Sequence, residues 1–398
     1  MRRRAFLATA GTLLTAGCGA LSGGRGGGGS GGGDSGPADW GGDERLGKTV
    51  NPERSIPDPP GGYNKDYAIN GEVDSEVGEI DPGSSEIRDP LGVDEQRENR
   101  TKTQANSEAS KYIGKARNKL DEALDEYRAA AGRNATILDV NATNTRFAAY
   151  PVDNKIDEAE STLDKAVEPA TDGQKMNILA LKHVSVFMRH AARCQKALGD
   201  AYEQVSFMAD RLYNENLLMV EQGNRRAEPA IESAKEAYQV IDDEVEEDAF
   251  VAYGTISEGL FEKKSTQFDA EIVGLDEARE GLSEMRGGIE RLQTAVPDFL
   301  DERYEQAERG FSSANADFAI AQTTFSISGG SRPVKQKVNE ISGVARTLEQ
   351  ATKDLRRAAN AQVNDERLVY YESRRAAEQH VNSNEIVRSM RTMNDLVT

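Results

Sequence analysis

LKHVSVFMRHAARCQKALGDAYEQVSFMADRL, residues 181–212, decides the fold. Leu181, Val184, Met188, Ala191, Gln195, Leu198, Tyr202, Val205, Ala209 and Leu212 follow one another at steps of three or four, and only Gln195 is polar. Such steps lay side chains along one stripe of an α-helix. A stripe of this length suits side-by-side packing against other helices.

The same spacing recurs on both sides. Leu300, Tyr304, Ala307, Phe311, Ala314, Phe318, Ala321 and Phe325 place a large ring every seventh residue from 304, with alanine between. Large and small rows side by side let a partner helix come close. Leu275, Ala278, Leu282, Met285, Ile289, Leu292 and Val296 form another stripe, and Ile341, Val344, Leu348, Ala351, Leu355 and Ala358 a further one. Shorter stripes run through Ile113–Ala130, Ile156–Ala166, Ile231–Val245 and Ile386–Val397. Pro169, Gly173, Gly223, Pro229, Pro297 and the run 329–333 fall between stripes, where glycine favours helix ends and proline first turns.

The reading is therefore all-α, with helices at 97–132, 152–169, 173–222, 226–249, 254–295, 298–327 and 333–380, and an eighth from 384. Short links favour antiparallel neighbours, so residues 96–398 are expected to form an elongated antiparallel bundle of about seven long helices. The alternative is an α-solenoid of the tetratricopeptide type, but that repeat is about 34 residues long with short helices. Residues 133–151 break the helical period, and 135–140 read as a short strand or an extended loop.

The N-terminal quarter is different in kind. Residues 19–36 are mostly glycine, and 37–95 mix Pro, Gly, Asp and Ser with no persistent period, so 19–95 is expected to be a disordered stalk. Gly28-Gly29-Ser30-Gly31-Gly32 fits G-x-S-x-G, but a nucleophile elbow needs a strand before it and a helix after it. Residues 1–18 read MRRRAFLATAGTLLTAGC: a basic start, an apolar stretch too short to span a bilayer, then small residues before Cys18.

Arg3, Arg4, Phe6 and Leu7 resemble the core of twin-arginine export signals. Thr15-Ala16-Gly17-Cys18 is similar to a lipobox, with Thr15 where leucine is favoured. The resemblance covers the first eighteen residues only. It implies export in a folded state, lipidation at Cys18 and residence on the outer face of the cell membrane.

Charge narrows the partners. The chain carries 68 Asp and Glu against 49 Lys and Arg, a net of −19, which opposes binding to nucleic-acid phosphates. Arginine outnumbers lysine 32 to 17, and an acidic, lysine-poor surface resembles the proteins of salt-loving archaea. At molar salt the screening length falls to about 3 Å, so such a surface repels itself little. With Cys18 lipidated, Cys194 has no partner, so no disulfide scaffold is expected.

His183 and His190 lie off the seam, expected toward solvent, and their seven-residue spacing puts them about 10 Å apart, too far to share a metal. The acidic runs 121–126 and 242–248 read as solvated helix faces. No metal, cofactor or catalytic constellation is expected. Sequons stand at Asn99, Asn134 and Asn141, which export would expose to glycosylation. The functional expectation is a structural or binding ectodomain. It would engage an envelope protein, a membrane partner or its own copy through helix faces. A solute-binding module, a sensor subunit and a lipoprotein enzyme are the alternatives.

Overall fold

A computed structural model describes residues 92–325 and 331–397, with side chains from residue 104 onward. The signal, Cys18 and most of the expected stalk lie outside these residues. The described helices belong to one compact unit, Ser85–Thr398.

The fold is all-α. Among the described residues the long helices are α1 (Gly92–Ala129), α2 (Tyr150–Val167), α3 (Asp172–Tyr213), α4 (Leu217–Glu244), α6 (Glu258–Leu300), α7 (Tyr304–Thr324), α8 (Arg332–Val363) and α9 (Arg367–Ser383). Short helices α5 (Ala249–Tyr253), α10 (Glu385–Ser389) and α11 (Arg391–Val397) fill the gaps. The quoted stripe is buried along α3, including Gln195, while Tyr202 is half-buried. In α7 the residues Ala307, Phe311, Ala314, Phe318 and Ala321 are all buried.

Each long helix packs chiefly on its chain neighbours, and α1 also meets α3, α3 meets α6 and α6 meets α8. At 1.5 Å per residue the 43-residue α6 is about 65 Å long, and two groups of helices share it. It carries the α3–α4 hairpin: Lys235 of α4 pairs with Asp276 at 2.9 Å and Arg286 reaches Leu217 O at 3.3 Å. Its last part carries α7, whose side chains sit over small residues. A Cβ added at Gly288 would lie 2.6 Å from the Phe318 ring, and one at Gly281 would run into the ring of Phe325, the residue that caps α7. The α8–α9 hairpin then packs on α7. Across the two groups, the Tyr213 hydroxyl donates to Glu340 at 3.3 Å, and Thr392 of α11 donates to Glu215 through its backbone N–H and hydroxyl, both at 2.7 Å.

Several expected boundaries move. Helix α1 starts at Gly92, inside the expected stalk. The helix expected at 173–222 ends at Tyr213, and the one expected at 333–380 splits at Asn364-Asp365-Glu366. Pro229 and Pro297 lie inside α4 and α6, and Gly223 marks a close crossing: a Cβ there would be 2.6 Å from Met208.

The true ends share one geometry. Glu215, Glu302 and Asp365 each adopt positive φ, at 57°, 60° and 59°. Around each, a residue five beyond a free carbonyl returns its N–H to it: Asn216 to Arg211 O, Arg303 to Asp298 O and Glu366 to Ala361 O, all at 2.8 Å. These are Schellman closures with an acid where glycine is usual. Eight residues past each acid stands a small residue, Gly223, Gly310 or Ser373, and twelve past it a buried alanine, Ala227, Ala314 or Ala377. The molecule therefore closes three helical hairpins in the same way.

Candidate functional site

The connection between α1 and α2, residues 130–149, is a succession of turns, neither strand nor helix. It nonetheless buries Ile137, Val140, Ala142 and Phe147. It crosses α3 at Gly199, where an added Cβ would stand 3.2 Å from Asn144 O. Buried irregular backbone has no ladder to satisfy its polar groups, and each unpaired group costs free energy.

Two charged side chains of α6 meet that need. Lys264 and Glu271 are both 0 % exposed. The Lys264 ammonium donates to Val140 O at 2.5 Å and, at 3.4 Å each, to Gln195 Oε1 and Gln267 Oε1. Three donors thus meet three acceptors. The Glu271 carboxylate accepts from Ala142 N at 3.0 Å and from Gln267 Nε2 at 3.1 Å. Gln267 Nε2 also donates to Val140 O at 3.2 Å, so one amide links the two charges and the loop. Lys264, Gln267, Phe268 and Glu271 stand three or four apart, so α6 presents them on one face.

Apolar groups close the site. The Lys264 nitrogen lies 4.4 Å from the Phe268 ring centre and 5.6 Å from that of Tyr127, within reach of both π faces. Tyr127 meets Phe147 edge to face at 5.3 Å. A cavity of about 10 Å³ beside Lys264 is lined by Leu124, Tyr127, Ile137, Phe187, Met188 and Ala191, about the space of one water. The buried Tyr127 hydroxyl and Gln195 Nε2 have no protein partner.

Burial pushes the Lys264 ammonium down to about 8, against the pull of Glu271. Burial likewise holds the Tyr127 phenol and the Cys194 thiol above their ordinary values. Cys194 is free and fully buried, which makes it a protonated, unreactive thiol.

The other residues singled out by sequence fall elsewhere. His183 and His190 are half-buried rather than facing solvent, because neighbouring helices overlap both edges of the α3 seam. His183 Nδ1 contacts Glu244 O at 2.9 Å. His190 has an unpaired buried Nδ1, and burial, aided by Arg193 and Arg189, pushes it down to about 4. No group of metal-ligating side chains forms among the described residues. Asp121, expected on a solvated face, accepts from the Tyr253 hydroxyl at 2.7 Å and from Thr255 at 2.8 Å, tying α1 to the α5 region.

Asn134 is exposed, with φ 69°. Asn141 is half-buried and hydrogen-bonded through both side-chain atoms. Asn99 lies on α1, with its side chain outside the described ones. Sequence reading did not name Lys264 or Glu271. The signal was there: carried back from Leu275 in steps of four and three, the α6 stripe lands on Glu271, Phe268, Lys264 and Phe261.

A second surface lies at the far end of α6. The rings of Phe299, Tyr304, Tyr370 and Tyr371 pass from one to the next at 5.7, 6.2 and 5.2 Å, where the α6–α7 and α8–α9 hairpins close. In this region Leu300 is 46 %, Leu368 72 % and Tyr371 66 % exposed. Leu300, expected in the α7 stripe, instead ends α6 and faces outward.

The chain matches no protein-family model, no curated protein and no solved structure. No described helix is long and apolar enough to cross a membrane.

Proposed function

We propose that this chain is a non-catalytic lipoprotein of the outer cell-membrane face, whose helical body engages an envelope or membrane partner. The address rests on Arg3, Arg4, Phe6, Leu7 and Cys18. The binding role rests on one observation above all: large apolar side chains, Leu300, Leu368 and Tyr371, stand in water around a ring cluster at the hairpin ends. Exposing them costs solubility and is a feature of protein contact sites. The Lys264–Glu271 pair serves as the clamp that fixes the loop, and its cavity admits nothing larger than water. The acidic, arginine-biased surface fits a salt-rich exterior.

The test is crosslinking in intact cells followed by mass spectrometry. Wild type is expected in the membrane fraction with an acylated Cys18, crosslinked through residues near 300 and 368–371. Cys18→Ser is expected to leave the membrane fraction. Leu368→Glu with Tyr371→Glu is expected to keep the anchor and lose the crosslinks. Recovery of intact chain from cytosol with Met1 attached would refute the address, and crosslinks unchanged by the double substitution would refute the surface.

A further inference from the structure

We infer that Asn134 is an N-glycosylation site and that the Lys264–Glu271 clamp keeps the neighbouring sequon at Asn141 unmodified. The inference rests on the export reading above. A chain that crosses the membrane folded meets a glycan transferase with its structure already formed. Which sequon reacts then depends on the folded geometry.

The two loop sequons differ in that respect. Asn134 is exposed at a turn, in the left-handed region, and its side chain makes no hydrogen bond among the described residues. The Thr136 hydroxyl of its sequon is also at the surface, bonded only to Asp139 at 2.8 Å. Asn141 is locked. Its Nδ2 donates to Asp139 O at 2.9 Å, and its Oδ1 accepts from Thr143 N at 3.0 Å and the Thr143 hydroxyl at 2.7 Å. The residues on either side are held from below: Val140 O by Lys264 and Gln267, Ala142 N by Glu271. Presenting Asn141 to an enzyme would break these bonds and leave the two buried charges without their loop partners. Presenting Asn134 breaks only surface bonds.

The donor is a lipid-phosphate-linked oligosaccharide and the catalyst a membrane transferase. The Asn134 Nδ2 bonds to the anomeric carbon, whose bond to the phosphate oxygen breaks. The lipid phosphate leaves with that electron pair, and the amide proton passes to a carboxylate of the transferase.

Peptide mapping of the full chain from the membrane fraction tests this. The expected result is a glycan on the Asn134 peptide and an unmodified Asn141 peptide, with the glycan of that region lost in Asn134→Gln but not in Asn141→Gln. Either a lipidated Cys18 with bare Asn134, or a glycan on Asn141, overturns the inference while leaving the anchor intact. A chain with free Cys18 and bare Asn134 overturns both. In Lys264→Met, chain that still folds and reaches the membrane is expected to gain modification at Asn141, and its absence there would remove the clamp from the account.

Discussion

Lys264 holds a charge where none is usually tolerated, and its removal has a definite cost. Lys264→Met leaves Val140 O with Gln267 as its one remaining donor and removes the positive charge that balances Glu271 across Gln267. Breaking a buried pair on one side typically costs about 3–5 kcal/mol, so urea unfolding of this variant should show a loss of that order. Lys264→Met with Glu271→Gln removes both charges and should cost less than the two single losses summed, by about 1–3 kcal/mol.

The pH dependence has a sign. The folded Lys264 releases its proton near 8, whereas the unfolded one holds it to 10.5. Between these values the unfolded chain binds more protons, so stability rises with pH, and below 8 the full penalty applies. Cys194 works the other way: its folded thiol stays protonated while the unfolded one ionises near 9, so it lowers stability from there upward. In Cys194→Ala the urea midpoint should therefore climb from about pH 8 to 9.5, and adding Lys264→Met should flatten the climb.

The half of this site on α3 was legible as the single polar residue of its seam, Gln195. The half on α6 was hidden because a charged residue at a seam position reads as the end of a stripe. Only the loop's unpaired backbone groups explain why it is not.

At the scale of elements, the stripes were readable and the ends were not. Burial follows the three-and-four spacing in α3, α6, α7 and α8 because side-chain direction in a helix is fixed by its geometry. The hairpin ends escaped because Glu215, Glu302 and Asp365 occupy positions where glycine is the usual cue, while Gly223 serves a helix crossing. Two of these acids make the point testable. Glu302→Gly and Asp365→Gly relieve a left-handed side-chain strain and should each raise stability by about 0.5–1 kcal/mol in urea. Close packing gives the opposite sign at Gly288. Gly288→Ala pushes on the Phe318 ring and should cost about 1–3 kcal/mol. Gly343→Ala in α8, which meets nothing within 4 Å, should gain about 0.5–1 kcal/mol from helix propensity.

At the scale of the whole molecule, one helix serves two groups of partners, and few polar contacts join those groups directly. Glu215 is therefore unlike the other two turn acids, since it receives both the N–H and the hydroxyl of Thr392. Glu215→Gly relieves the same strain but frees the C-terminal helices. Hydrogen exchange should quicken across residues 385–397 in this variant and stay unchanged across 304–324.

The clamp also orders events in time. Val140 is separated from Lys264 by 124 residues, so the loop cannot close over its charges until most of the body has been synthesised. At about 5–20 residues per second the ribosome takes roughly 6–25 s to bridge that gap. Nascent chains halted before Lys264 should be cut readily by protease between 130 and 149, and full-length chains should resist. Locking of that segment therefore marks a chain in which α1 to α5 and the start of α6 are already in place, with α7 to α11 still to be added.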